Sequence, residues 1–86
     1  MNLPKTDLLQ IPYIGPQGAR DLINAGYPDI ESLKGQNPEE IYLKDCLYKG
    51  YRDTRIALYV YRFAVAYAET GGKLPPDKQK WWNWKD

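Results

Sequence analysis

The chain has 86 residues, 43% of them apolar and 27% charged, which predicts one small globular domain. Its formal net charge of +1 excludes the strongly basic surface field of many nucleic-acid-binding proteins. Because the chain has no histidine and only one cysteine, Cys46, the composition argues against His-dependent nucleophiles, zinc fingers and disulfide scaffolds. We therefore expect no enzyme, no cofactor and no bound metal.

Glycine and proline residues divide the chain into segments of helical periodicity, and no stretch alternates as a strand does. The fifth and longest predicted helix is the most apolar, so we expect it to form the centre of an all-α bundle. Thr6 or Asn2 would cap the first helix. In chain order, the five helices are predicted at residues 3–10, 16–25, 28–35, 37–50 and 53–70.

The predicted domain covers residues 1–72, and a tail of residues 73–86 carries all three tryptophans. No apolar run reaches the ~20 residues of a membrane-spanning helix. The N-terminus lacks the apolar run of a signal peptide. We therefore expect a cytoplasmic protein.

The turn between the first two predicted helices is the sharpest local feature. A helix N-terminus there offers unpaired backbone N–H groups and the positive end of the helix dipole, which together can hold a phosphate. The alternative is a turn that only joins two core helices. The residues predicted to contact nucleic acid are Tyr13, Ile14, Gly15, Gln17, Gly18 and Arg20.

Residues 9–22 resemble the helix-hairpin-helix motif of DNA-binding proteins. The resemblance implies sequence-independent contact with the DNA backbone. Tyr13 stands where the motif has its first glycine, and the second helix lacks the usual second basic residue near its start. The matching positions are Ile11, Pro12, Ile14, Gly15, Ala19 and Leu22.

A second hairpin is predicted at residues 33–42. Its helix begins with Glu39 and Glu40, which satisfy the helix N-terminus and repel phosphate. We therefore expect only the first hairpin to bind an anion.

Residues 9–84 resemble the bacterial pathogenicity locus family, also described as mitomycin-resistance-like helix-hairpin-helix proteins. The first half is also similar to the C-terminal domain of the competence regulator TfoX. The resemblance implies a five-helix, helix-hairpin-helix (SAM-like) bundle and a link to DNA. Arg55 stands where the family pattern has a cysteine. The matching segments include Ile14-Gly15-Pro16, Ala19-Arg20-Asp21-Leu22, Asn37-Pro38-Glu39-Glu40-Ile41-Tyr42 and Trp81-Trp82-Asn83-Trp84.

Two further groups of residues have alternative interpretations. Lys49, Arg52 and Arg55 form a possible second backbone-contact patch or an ordinary solvated surface. The tryptophans either stack on bases, dock a partner, or fold back to cover a small core, which we favour. The tryptophans are Trp81, Trp82 and Trp84.

The acidic residues show no close ligand spacing along the chain, and Cys46 is predicted to be a small core residue. The sequence thus favours weak, sequence-independent binding of the DNA backbone without catalysis. The alternative is a protein-interaction or oligomerisation module with a structural hairpin and a docking tryptophan tail. Salt separates the two, because binding to phosphate weakens as ionic strength rises. We expect a monomer or a weak homodimer.

Overall fold

Within residues 5–85, the regular structure is entirely helical, as predicted. A computed structural model describes residues 5–85, and this range contains no strand. Three α-helices form the body: α1 (Gly15–Asn24), α2 (Pro38–Lys49) and α3 (Arg55–Thr70). None of the helices in residues 5–85 has the length and apolar character needed to cross a bilayer. Short 3-10 helices lie at Asp7–Gln10, Glu31–Leu33, Pro76–Lys78 and Trp81–Trp84.

The prediction of five helices was wrong, because the first and third predicted helices are 3-10 turns. Such short segments cannot offset the cost of helix nucleation, so local hydrogen bonds decide their geometry. Thr6 Oγ1 accepts the N–H of Leu8 at 3.1 Å in the first turn. Asp29 Oδ1 accepts the N–H of Ser32 at 2.8 Å in the other. The predicted start at Leu3 and the alternative cap Asn2 lie outside the described residues.

The ends of α2 follow from its sequence. Asn37 Oδ1 accepts the N–H of Glu39 at 2.9 Å and caps the N-terminus. Gly50 ends the helix with φ of 78°, a left-handed conformation that favours glycine. The predicted boundaries of this helix, residues 37–50, are confirmed.

The longest helix, α3, is the central element. It packs against α2, against the Glu31–Leu33 turn and against the Trp81–Trp84 turn. Its buried side chains, except that of Leu58, meet apolar residues from the other elements in one core. The buried residues of α3 are Leu58, Tyr61, Phe63, Ala64, Val65 and Ala68.

The tail packs onto the helical body through its tryptophans. Trp81 and Trp84 are half-buried against the core. Trp84 Nε1 donates to the carbonyl oxygen of Lys78 at 2.9 Å. Arg62 Nη1 on α3 donates to the carbonyl oxygen of Trp84 at 2.9 Å. The first bond lies within the tail, and the second joins the tail to the central helix.

Candidate functional site

The turn before α1 alternates between left- and right-handed backbone conformations. The φ of Tyr13 is 69° and that of Gly15 is 65°. Ile14 between them is right-handed, with φ of −69° and ψ of −52°. Such alternation points successive N–H groups to one side, as in the concave backbone nests that bind anions. The N–H of Ile14 already donates to the carbonyl oxygen of Ile11 at 3.3 Å, so a ligand would use the N–H groups beside it. Tyr13 thus adopts the left-handed conformation that a glycine takes easily.

The ring of Tyr13 is held by two aromatic neighbours. Its centroid lies 6.1 Å from that of Phe63 and 5.5 Å from that of Trp82, both in edge-on geometry. Edge-on pairs of this kind are favourable contacts. They support a residue whose backbone conformation is unfavourable for a side chain of its size. The ring remains 53% exposed.

The start of α1 is open to a ligand. No side chain caps it, and its first turn contains no acidic residue. A Cβ atom added at Gly15 would meet no other atom within 4 Å. The first N–H groups of a helix lack intrahelical partners and carry the positive end of the dipole. An anion can therefore approach this helix start closely.

The other two helices begin beside carboxylates. Glu39 and Glu40 lie in the first turn of α2, and the Asn37 side chain caps it. At the start of α3, Asp53 Oδ1 accepts the N–H of Thr54 at 2.8 Å. Within residues 5–85, α1 is thus the α-helix whose start has neither a side-chain cap nor an adjacent acid.

The remaining hairpin residues have different surroundings. Ile14 is buried in the core, and a Cβ on Gly18 would lie 3.2 Å from Ile14 Cγ2, so Gly18 serves close packing. Gln17 is exposed, and its Nε2 donates to Asp21 Oδ1 at 2.9 Å. Arg20 is half-buried on the same helix. Of the residues predicted to contact nucleic acid, Tyr13, Gly15 and Gln17 are therefore the exposed ones.

The fold brings a lysine from the tail to this turn. The turn and the tail together line a groove of about 410 Å³, to which the turn contributes Pro12 and Tyr13 and the tail contributes Lys80. Lys80 Nζ lies 5.6 Å from the ring centroid of Trp82, which itself contacts Tyr13. Sequence reasoning missed this cation beside the hairpin. The alternation of lysine and tryptophan at residues 80–82 was the available signal.

A second cluster joins three parts of the fold through one lysine. Lys49 Nζ lies 3.2 Å from Asp21 Oδ2, 3.1 Å from Asp45 Oδ1 and 2.7 Å from Asp53 Oδ2. Asp21 belongs to α1, Asp45 and Lys49 to α2, and Asp53 to the segment before α3. The ammonium group thus ties the start of α3 to both preceding helices.

Burial shifts the ionisation of this cluster. Asp45 is 1% exposed, and its Oδ2 has no hydrogen-bond partner. Burial and the neighbouring Asp53 carboxylate raise the pKa of Asp45 to about 6, although Lys49 lowers it. Burial alone would lower the pKa of Lys49, but its hydrogen bonds to the three carboxylates raise it. Burial and the nearby Asp45 carboxylate also raise the pKa of Tyr61.

Asp21 is distant in sequence from Asp45 and Asp53, yet one oxygen of each of the three lies within 4.8 Å of the others. The sequence expectation of no close ligand spacing therefore does not describe the folded chain. Lys49 contacts all three carboxylates and supplies the positive charge at their centre. Its spacing of four from both Asp45 and Asp53 was a visible signal, whereas Asp21 is placed by tertiary structure.

The other predicted residues lie in separate places. Lys49 is 19% exposed and is paired within the acidic cluster, whereas Arg52 and Arg55 are exposed. Cys46 is half-buried on α2, and its Sγ accepts the N–H of Asp53 at 3.3 Å. Trp82 is the most exposed of the three tryptophans, at 39%.

Comparison with known proteins identifies the family. No curated protein and no solved structure matches the chain. The predicted resemblances to the helix-hairpin-helix motif and to TfoX therefore stay predictions. The Pathogenicity locus family matches residues 4–86, a range that includes the hairpin, the acidic cluster and the tryptophan tail. The predicted family is thus confirmed, and the chain belongs to the Pathogenicity locus family.

Proposed function

We propose that this protein binds the DNA backbone without sequence preference, by holding a phosphate at the start of α1. The observation that carries the proposal is an uncapped, acid-free helix start preceded by the turn at Tyr13 and Gly15. Backbone N–H groups recognise phosphate oxygens, which every nucleotide presents alike. In this proposal the turn and its flanking helices act as a helix-hairpin-helix element in a cytoplasmic protein, without catalysis.

Side chains near the turn support the same role. Lys80 stands at the edge of the groove beside Tyr13, and Arg20 lies on α1. Lys80 takes the place of the second basic residue that the α1 sequence lacks. With so few cations the affinity is low, consistent with the net charge of +1. For about two phosphate contacts, affinity falls roughly tenfold between ~50 mM and ~200 mM salt.

Exchanging Gly15 for aspartate or asparagine tests the proposal. Both residues tolerate the left-handed conformation observed at Gly15, and they differ by one charge. We expect Gly15→Asp to weaken DNA binding by about tenfold or more relative to Gly15→Asn, because the carboxylate repels phosphate. Fluorescence anisotropy with single- and double-stranded DNA at both salt concentrations measures the difference.

A matched control separates local repulsion from net charge. Gln36→Glu adds the same charge at an exposed position of the second hairpin, and we expect it to leave binding nearly unchanged. Equal binding by the two Gly15 variants, or equal loss in Gln36→Glu, would contradict a phosphate site at α1. Absence of any binding at low salt would remove the proposal altogether.

The alternative of a tryptophan tail that docks a partner receives less support. Trp81 and Trp84 are half-buried against the core, and Trp84 is held by two hydrogen bonds. Trp82 remains as the more exposed ring, and it contacts Tyr13 within the chain. An apolar tail contact would be insensitive to salt, so the same titration distinguishes the two functions.

A further inference from the structure

The groove that the turn and the tail line contains a row of three aromatic residues. Tyr13 lines it from the turn, Phe63 and Tyr67 line it from α3, and Leu74 lines it from the start of the tail. The ring centroid of Phe63 lies 6.1 Å from that of Tyr13 and 6.2 Å from that of Tyr67. Phe63 is buried, whereas Tyr13 is exposed. We call the site formed by Tyr13, Phe63, Tyr67, Leu74 and Lys80 the aromatic groove.

The charge of the aromatic groove favours an anion. Lys80 is exposed, and it is the one charged residue among the described residues that line the groove. Its Nζ lies 5.6 Å from the ring centroid of Trp82, and Trp82 in turn contacts Tyr13. The described lining residues include no acid, which would repel an anion. The aromatic groove therefore suits a ligand that has a flat apolar part and a negative charge.

The aromatic groove adjoins the start of α1. Tyr13 belongs to both, because it lines the groove and its backbone forms the left-handed turn before Gly15. A nucleotide carries a phosphate and a flat base joined through one sugar, so the helix start and the groove can hold two parts of one ligand. The volume of the groove, about 410 Å³, lies within the range of about 300–1,000 Å³ that is typical of sites for small ligands.

We propose that the aromatic groove binds an unpaired base of single-stranded DNA, next to a phosphate held at the start of α1. This preference for single strands rests on the phosphate site proposed above. The bases of a duplex are stacked and paired inside it, so they do not reach a groove of this kind. Stacking on aromatic rings tolerates any base, because every base has a flat π-face. The aromatic groove thus adds affinity for single strands without adding sequence preference.

Three DNA probes of one length test this preference by fluorescence anisotropy: oligothymidylate, a duplex, and a strand in which abasic sugars replace the nucleotides of oligothymidylate. At ~50 mM salt we expect the parent chain to bind oligothymidylate about tenfold more tightly than the other two probes, which is the contribution of one stacked base. The duplex has the higher charge density, so phosphate contacts alone would favour the duplex. The abasic strand keeps the phosphates and removes the bases.

Tyr13→Asn tests the groove itself. Asparagine tolerates the left-handed conformation observed at Tyr13 and removes the ring. We expect this variant to lose about tenfold in affinity for oligothymidylate and to bind the duplex as the parent does, because the backbone of the turn is kept. Tyr51→Asn is the matched control: Tyr51 is 61% exposed and lies outside the groove, so its replacement should leave both affinities unchanged. Circular dichroism establishes that each variant keeps the parent's helix content.

Gly15→Asp separates the base groove from the phosphate site. Relative to Gly15→Asn, we expect it to weaken binding of all three probes, because all three carry phosphates. Equal binding of oligothymidylate and duplex by the parent, with both weakened by Gly15→Asp, would overturn the base groove and keep the phosphate site. Binding that is weakened by Tyr13→Asn and not by Gly15→Asp would overturn the phosphate site instead.

Two further outcomes would contradict the aromatic groove as a base site. An abasic strand that binds as tightly as oligothymidylate would show that the bases contribute no affinity. An equal loss of affinity for oligothymidylate and duplex in Tyr13→Asn would show that Tyr13 supports the turn and does not contact a base.

Discussion

Asp45 shows how one residue depends on its surroundings. Its carboxyl group is buried on α2, where one oxygen contacts Lys49 and the other has no hydrogen-bond partner. An acid in such a place favours its protonated form, because removing a charge from water is unfavourable. Asp53 shows the opposite shift: burial alone would raise its pKa, but the neighbouring Asp45 and Lys49 side chains lower it.

The stability of the protein should depend on pH through Asp45. The pKa of Asp45 is about 6 in the folded chain, against ~3.9 for an unfolded aspartate. Between these values the folded state binds more protons than the unfolded state, so the free energy of unfolding falls as pH rises. We expect this contribution to total roughly 2–3 kcal/mol between pH ~4 and ~6.

Asp45→Asn provides the measurement, because it removes the titrating group with little change in shape. We expect the free energy of unfolding, measured in urea, to fall less between pH ~4.5 and ~7 in the variant than in the parent. Because the pKa of Asp53 is lowered, Asp53 stays ionised between pH ~4.5 and ~7 and does not contribute to the difference in stability. An equal pH dependence in both proteins would show that Asp45 is not the group responsible.

At the scale of elements, α1 and α2 differ in how the backbone N–H groups at their N-termini are satisfied. The Asn37 side chain and two glutamates satisfy the N-terminus of α2, whereas α1 starts without a cap or an acid. A capping side chain stabilises a helix by replacing a lost hydrogen bond of the backbone. The start of α2 is thus specialised for stability, and that of α1 remains open to an anion.

Replacing Asn37 should therefore affect stability and not DNA binding. We expect Asn37→Ala to lower the free energy of unfolding by about 1 kcal/mol, because the N–H of Glu39 loses its acceptor. Asn37→Asp keeps an acceptor and should stay close to the parent. Urea unfolding measures the first effect, and anisotropy with labelled DNA should show no change in either variant. If Asn37→Ala were as stable as the parent, water would satisfy this helix start as well as the asparagine side chain does.

At the scale of the whole molecule, the tail enlarges the hydrophobic core. A chain of 86 residues has little apolar surface to bury, and Trp81 and Trp84 add two large rings to the core built around α3. Arg62 and Lys78 fix Trp84 through the hydrogen bonds of its backbone and its ring. The last residues of the described chain are thus part of the fold that holds the hairpin.

Removing Trp84 should destabilise the entire domain. We expect Trp84→Ala to lower the free energy of unfolding by about 3 kcal/mol, since a half-buried ring and its hydrogen bond are lost together. Trp82→Ala is the matched control, and its effect should be clearly smaller because that ring is more exposed. Thermal unfolding followed by circular dichroism compares the two. Similar losses of stability in the two variants would show that Trp84 contributes no more to the fold than Trp82 does.

Local sequence signals were sufficient for much of this fold. The asparagine-proline-glutamate start and glycine end of α2 act within a few residues, so the helix was predictable with its boundaries. The apolar periodicity of α3 identified the central helix for the same reason. The segments around Leu8 and Leu33 were too short for helix propensity to decide, and local hydrogen bonds of Thr6 and Asp29 made them 3-10 turns.

The sequence by itself determined the all-helical class, the family and the position of the hairpin turn, because each depends on neighbouring residues. The tertiary structure decided the rest, because contacts between distant residues depend on how the helices pack. Only packing brings Lys80 to the turn at Tyr13, and only packing places Asp21 against Lys49. It also decided which face of α2 is left to solvent, since burial of Ile41 and Asp45 turns Leu43 outward.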